Sequence, residues 1–301
     1  MFIEILKAFI IGLVEGITEW LPISSTGHMI LVDEFLKLDV SEQFLALFLV
    51  VIQIGAILAV IILYFHKLNP FSPRKSAGER RSTWRLWGMV VIGCIPAAVV
   101  GVALDDWVHD HFYNATVVAM ALILYGVIFI VMERRNRKLE ALAQPEKRGK
   151  HAKGGEDTDG IFKVATVDDI SPKTALAIGL FQCLAIIPGT SRSGSTIIGG
   201  MLAGCSRVAA TEFTFFLAIP IMLGWGLVKV LKYLASGLVM STTEIAVLVV
   251  GIITAFVVSI ISIKFLMGYI KRNDFTAFGW YRIVVGMIVL GYFGAKGAGL
   301  F

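Results

Sequence analysis

The sequence predicts an all-α integral membrane protein with six transmembrane helices and two re-entrant helix pairs in an inverted-topology repeat. Three observations carry that prediction. Of 301 residues, 57% are hydrophobic and only 16% are charged, a balance too apolar for an ordinary soluble domain. Six apolar runs are each long enough to cross a bilayer, which takes about 20 helical residues. Two further apolar regions are interrupted by Pro, Gly, Ser and Thr, and irregular backbone at membrane depth is tolerated only where protein or water satisfies it. The runs are continuous, without the alternating pattern of a membrane barrel.

The spans are predicted at 44–64, 86–104, 115–133, 211–232, 245–267 and 280–296, and the broken regions at 3–38 and 174–205. Basic residues orient them. The 65–85 stretch holds Lys67, Arg74, Lys75, Arg80, Arg81 and Arg85, and 134–173 holds ten more, beginning Arg134, Arg135, Arg137 and Lys138. The stretches 105–114 and 233–243 hold none. The basic stretches, with Lys271 and Arg272, are therefore assigned to the cytoplasm. If both broken regions re-enter, the spans alternate without conflict and both termini lie outside. The formal charge of +5 is explained by these loops, which removes the case for nucleic acid as a partner.

The start Met1-Phe2-Ile3-Glu4 lacks a basic n-region, so the first apolar run is expected to stay in the mature protein. Cys94, Cys183 and Cys205 lie in apolar runs without paired spacing and read as packing residues. Asp105, Asp106, His109, Asp110 and His111 read as a solvated outer loop. Lys229, Lys232 and Lys264 lie near span ends, where long stems snorkel to the interface.

One membrane domain is predicted for 1–301. Its first half is 1–133, a basic cytoplasmic linker covers 134–173, and its second half is 174–301. Without a gap, 8–28 lies over 175–195, pairing Gly12 with Gly179, Glu15 with Gln182, Ser24 with Ser191, Thr26 with Ser193 and Gly27 with Gly194. One broken region would enter from outside and the other from the cytoplasm, so their tips would meet near the midplane, where broken helices build sites. Within the linker, 144–160 is polar and glycine-rich and reads as a disordered tether.

The chemistry concentrates at the tips. The first reads Glu15-Gly-Ile-Thr-Glu-Trp-Leu-Pro-Ile-Ser-Ser-Thr-Gly-His28. Ionisable groups at such depth mark a functional site by default. Glu15 and Glu19 are spaced i,i+4, which stacks two carboxylates on one helix face and calls for a cation or a shared proton between them. Mg²⁺ or Ca²⁺ fits, since Mg²⁺ is held by one or two carboxylates together with phosphate oxygens and water. Pro22 ends the helix, and Ser24, Ser25, Thr26 and Gly27 form a polar break before His28. The second tip, Pro188-Gly-Thr-Ser-Arg-Ser-Gly-Ser-Thr196, surrounds Arg192 with hydroxyls and glycines, a cradle for an anion at a helix N-terminus. A second, less favoured reading has Arg192 in a buried ion pair with Glu15 or Glu19 that holds the repeats together, and the two roles are compatible. Together the tips supply the parts of a phosphoryl-transfer site. A soluble phosphate ester would not require that depth, whereas a headgroup on a lipid tail would.

These two segments resemble the signature motifs of the bacterial undecaprenyl-diphosphate phosphatase family, the bacitracin-resistance type, and the resemblance runs over essentially the whole chain, including Gly200-Met-Leu-Ala-Gly-Cys-Ser-Arg207. It implies hydrolysis of the terminal phosphate of undecaprenyl diphosphate, recycling the lipid carrier of cell-wall synthesis, with Mg²⁺ or Ca²⁺ required. It also implies a multi-pass protein of the bacterial inner (plasma) membrane whose site opens to the outer face. By the same resemblance Glu15 and Glu19 are metal or water-positioning carboxylates and Arg192 binds phosphate. Ser25 and His28 are the pair between which the nucleophile is argued, with Ser25 preferred. Ser191, Ser193, Thr196, Ser24 and Thr26 are phosphate-binding hydroxyls. The implied partners are the polyprenyl diphosphate and membrane lipids, while oligomeric state is left open, a homodimer included.

Two rivals share parts of this pattern. Inverted repeats with broken midplane helices also build transporters and flippases, which would move lipid without releasing phosphate. A phosphatidic-acid-type phosphatase should add a basic motif before residue 25 and a second His paired with Asp, and neither is found.

Overall fold

A computed structural model describes residues 1–147 and 162–299. Eleven α-helices follow in order among them: α1 Phe2–Thr18, α2 Ser25–Phe35, α3 Glu42–Leu63, α4 Phe65–Leu68, α5 Ala77–Phe112, α6 Ala115–Lys147, α7 Pro172–Cys183, α8 Arg192–Leu202, α9 Arg207–Ala235, α10 Thr242–Ile270 and α11 Thr276–Gly297. No strand occurs among the described residues, only an isolated bridge between Val164 and Cys205. Six helices, α3, α5, α6, α9, α10 and α11, are long and apolar enough to cross a membrane. They fall on the six predicted runs.

The broken regions fold as α1–α2 and α7–α8. The 11 residues of α2 and of α8 make helices about 16 Å long, roughly half the hydrocarbon thickness of a bilayer. The breaks repeat atom for atom in their caps. Ser24 N-caps α2 at φ 74° and accepts from Gly27 N, and Ser191 N-caps α8 at φ 73° and accepts from Gly194 N. Those four residues are two of the pairs that the ungapped overlay matches.

Packing also exchanges the halves: α1 lies on α10, its counterpart α7 lies on α5, α3 meets α9, and α6 meets α11. The close approaches are made at glycine. A Cβ on Gly12 would come 2.7 Å from Gly251 O, and one on Gly126 would come 2.6 Å from Gly279 O, while one on Gly179 would overlap Gly93 O. Small residues at helix crossings are what lets membrane helices pack without a hydrophobic driving force. The core gathers around the tips, where Trp20 meets Phe215 edge-on at 5.3 Å between ring centroids.

The structure corrects three boundaries. The 105–114 loop is largely helix, since α5 runs to Phe112. Residues 77–85 begin α5 rather than ending a loop. The 134–173 linker begins as helix, because α6 continues to Lys147. Hydropathy stops where charge begins, but helix does not. Arg207 pairs with Glu133 at 2.6 Å and with Glu140 at 2.9 Å, and Arg137 pairs with Asp274, so the charged extension of α6 is tied to α9 and to the turn before α11. Residues 148–161, most of the expected tether, lie outside the described residues.

Candidate active site

The two tips meet. Arg192, the first residue of α8, donates from Nη2 to Glu19 Oε1 at 3.1 Å and from Nη1 to the Thr214 carbonyl at 3.1 Å. Ser193 Oγ lies 3.1 Å from the Glu19 carbonyl oxygen, donating across the same seam. Glu19 is therefore engaged on both carboxylate oxygens, because Ser25 Oγ donates to Oε2 at 2.9 Å. The guanidinium and carboxylate are almost buried, at 13% and 10% side-chain exposure, and such a pair survives burial only with further hydrogen bonds on its remaining atoms.

Ser24 and Ser191 are the only non-glycine residues at positive φ among those described. That backbone costs about 1–3 kcal/mol where a side chain is present, and it persists at sites that the surrounding structure over-determines. Here each strained serine turns the chain into the helix that it caps.

Around this pair lies a cavity of about 190 Å³. Glu19, Ser25, Thr26, Gln53, Ser191, Arg192 and Ser193 form its polar wall, and Ala185, Ile187, Ile221, Met222 and Trp225 form an apolar one. An amphiphile with an anionic end fits both walls at once. Gln53, a lone polar residue in the middle of α3, was not marked by the sequence reading; its signal is an amide in an otherwise unbroken apolar run.

Other predicted residues stand elsewhere. His28 does not reach Ser25: Nδ1 is 2.7 Å from the Ser24 carbonyl and Nε2 is 2.8 Å from Tyr281 Oη, with the two rings stacked at 5.6 Å. A carbonyl only accepts, so Nδ1 carries the proton, and in the neutral ring Nε2 accepts from the tyrosine hydroxyl. Thr196 turns away from the cavity, donating from Oγ1 to the Arg192 carbonyl at 2.9 Å and accepting from Thr214 Oγ1 at 2.8 Å. Ser24 is spent on its cap. Thr26 and Ser191 line the cavity.

Glu15 lies on α1 one turn before its C-cap Glu19 and is 2% exposed, and its Oε1 has no hydrogen-bond partner among the described residues. No cluster of three or more His, Cys, Asp or Glu occurs among the described residues. Both Glu19 oxygens are already taken by Arg192 and Ser25, so Glu15 Oε1 is the carboxylate oxygen beside them that a cation or a shared proton would satisfy.

Arg282, on α11, was missed by the sequence reading altogether. It is fully buried and meets no carboxylate among the described residues; instead it donates to the carbonyls of Pro22 at 3.1 Å, Gly189 at 2.9 Å, Thr190 at 2.9 Å and Leu122 at 3.4 Å. One guanidinium thus holds both tips. The signal was an arginine inside the run that begins the last span.

Fold and site define a class, a helical membrane protein in which two broken helices from different halves close one cavity around a carboxylate and a guanidinium. Within that class, the chain belongs to the BacA family, whose model, described as bacitracin resistance protein BacA, matches residues 8–288. A protein of Enterococcus faecalis is 52% identical over 292 residues, covering 97% of this chain and 98% of its own. One of Lachnoclostridium phytofermentans is 53% identical over 292 residues with the same coverage, 97% and 98%. One of Streptococcus thermophilus is 52% identical over 294 residues, 98% of this chain and 95% of its own. All three carry the name undecaprenyl-diphosphatase.

Proposed function

We propose that this protein removes the terminal phosphate of undecaprenyl diphosphate, releasing inorganic phosphate and returning undecaprenyl phosphate to cell-wall synthesis, and so confers bacitracin resistance. One observation carries the reading: Ser25, Glu19 and Arg192 converge on a cavity whose other wall is apolar.

In the resting site Arg192 is paired with Glu19. An incoming terminal phosphate offers the guanidinium a second anion, and a planar fork of donors suits phosphate oxygens. Glu19, released from that pairing, accepts the Ser25 proton it already faces. Ser25 Oγ attacks the terminal phosphorus, the bond to the bridging oxygen breaks, and undecaprenyl phosphate leaves. Water then cleaves the phosphoserine, yielding inorganic phosphate and free Ser25. The Ser191 hydroxyl, the Thr26 hydroxyl and the first amides of α8 surround the charge that develops on the phosphoryl oxygens. His28 acts through the backbone, holding the Ser24 carbonyl. Glu15 and Glu19 would hold Mg²⁺ or Ca²⁺, which neutralises phosphate charge when bound.

The two broken pairs re-enter from opposite sides, making an inverted repeat in a bacterial plasma membrane with the cavity open to the outer face. The short α2 and α8 and the basic stretches on one side support that orientation. The test is phosphate release from undecaprenyl diphosphate by purified protein, with chelator and after restoring Mg²⁺ or Ca²⁺. Release that stops with chelator and returns with the ion supports the reading. Lipid movement across sealed vesicles without phosphate release would instead mark a transporter.

A further inference from the structure

The cavity is too small for its substrate. Pockets that enclose a drug-sized ligand measure roughly 300–1,000 Å³, and this one measures about 190 Å³. A C55 tail therefore lies mostly outside, and only the atoms nearest the diphosphate are enclosed. Where the tail leaves decides which residues read it.

The depth of the lining residues on α9 marks the way out. Arg192 contacts α9 at the Thr214 carbonyl. Ile221, Met222 and Trp225 line the cavity further along the same helix, with Trp225 about 16 Å beyond Thr214 at the helical rise. Across the opening, Ala185 and Ile187 come from the turn that follows α7. Apolar lining is thus confined to the gap between α9 and that turn, and no polar lining residue comes from α9. Trp225 is 43% exposed, and Lys229, one turn on, sets its Nζ 5.0 Å from the indole centroid. A cation over the ring face fixes an aromatic that would otherwise be free.

The α3 side of the opening is the opposite in character. Val50 and Ile54 sit closest to Gly226 on α9, which sets Gln53 at the level of Trp225. Gln53 faces the cavity, and its amide has no hydrogen-bond partner among the described residues. An amide in an apolar span with both donors and its acceptor unspent is costly unless a ligand or water completes it.

We propose that Gln53 and Trp225 divide the substrate between them: the Gln53 amide hydrogen-bonds the diphosphate, and the indole seats the first isoprene unit as the tail leaves between α9 and the turn after α7. This rests on the phosphatase reading above and names the residues that read each end of its substrate. Beyond that first unit, tail length is unread by the protein.

The test compares kcat/KM for a tail-less methyl diphosphate, farnesyl diphosphate and undecaprenyl diphosphate in the same detergent. Trp225→Ala should lower kcat/KM about tenfold or more on both prenyl substrates, the discrimination that a lost apolar contact brings, and lower it far less on methyl diphosphate. Trp225→Phe should recover most of the loss. Gln53→Ala should lower all three substrates by a common factor. The partial exposure of Trp225 keeps its truncation from opening a core cavity, and melting curves for each variant check this. If Trp225→Ala does not fold, Trp225→Gln, which keeps side-chain length but removes the apolar ring, takes its place with the same expected split between prenyl and tail-less substrate. Equal losses on all three substrates for Trp225→Ala, or a loss for Gln53→Ala confined to prenyl substrates, would overturn the division. Wild-type protein that releases no phosphate from any prenyl diphosphate would overturn the phosphatase reading itself, a result distinct from either.

Discussion

Arg192 Nη2 reaches Glu19 Oε1 at 3.1 Å across 173 residues of chain, and its other terminal nitrogen holds the Thr214 carbonyl. The two bonds need the planar fork, which a lysine ammonium cannot reproduce. Arg192→Lys keeps the charge beside Glu19 and should fold with an unfolding temperature near wild type. Phosphate release should nevertheless fall about 10²-fold, the scale of losing one oriented donor to developing charge. Wild-type turnover in that variant would reduce Arg192 to a structural counter-ion.

Ser25 and His28 are separated by their partners. Ser25 points at Glu19, and His28 is held by Ser24 and Tyr281. Ser25→Ala should reduce turnover by on the order of 10³-fold or more, as loss of a nucleophile does. Tyr281→Phe removes one hydrogen bond to the ring and should change kcat by less than about tenfold. Equal damage from both substitutions would make His28 the acting group.

Arg282 supplies donors to carbonyls on both tips. Arg282→Met leaves those carbonyls buried without a partner, at about 1–3 kcal/mol for each group left unsatisfied. The unfolding temperature in detergent should drop sharply, with activity lost alongside, and Arg282→Lys should restore part of both. An unchanged unfolding temperature in Arg282→Met would show that the tips hold each other without it.

Gly179 packs its α-carbon against the Gly93 backbone, whereas Gly101, also inside a helix, has nothing near its missing side chain. Gly→Ala in a helix interior ordinarily gains about 1 kcal/mol. Gly101→Ala should therefore hold or raise thermal stability. Gly179→Ala should lower it, because α7 must move off α5. Equal shifts for the two would contradict the close crossing.

Much of this was legible in the sequence for a definite reason. Crossing a bilayer demands long apolar runs, so the six spans stood out, and polar atoms at depth are costly, so both tips did too. Ser24 and Ser191 could be paired in advance because a repeat preserves spacing. What escaped was set by tertiary geometry. Thr196 looks like a phosphate ligand in the primary structure, but one turn into α8 its hydroxyl falls within reach of the Arg192 carbonyl and Thr214. His28 finds Tyr281 from a helix 253 residues away. Gln53 and Arg282 are single polar residues in apolar runs, and hydropathy averages them away. The helical extension of α6 is held by ion pairs, and at the start of α5 Arg85 donates to the Asp168 and Ile170 carbonyls, contacts to which an apolar-run criterion is blind.

The most direct test of a shared site is a double-mutant cycle on phosphate release from undecaprenyl diphosphate, with Glu19→Ala, Arg192→Ala and the pair together. Residues that serve one site as a unit are strongly non-additive. The double variant should be no slower than the worse of the two singles. Losses that multiply would mean that Glu19 and Arg192 work independently, and that the two halves do not close around one phosphate.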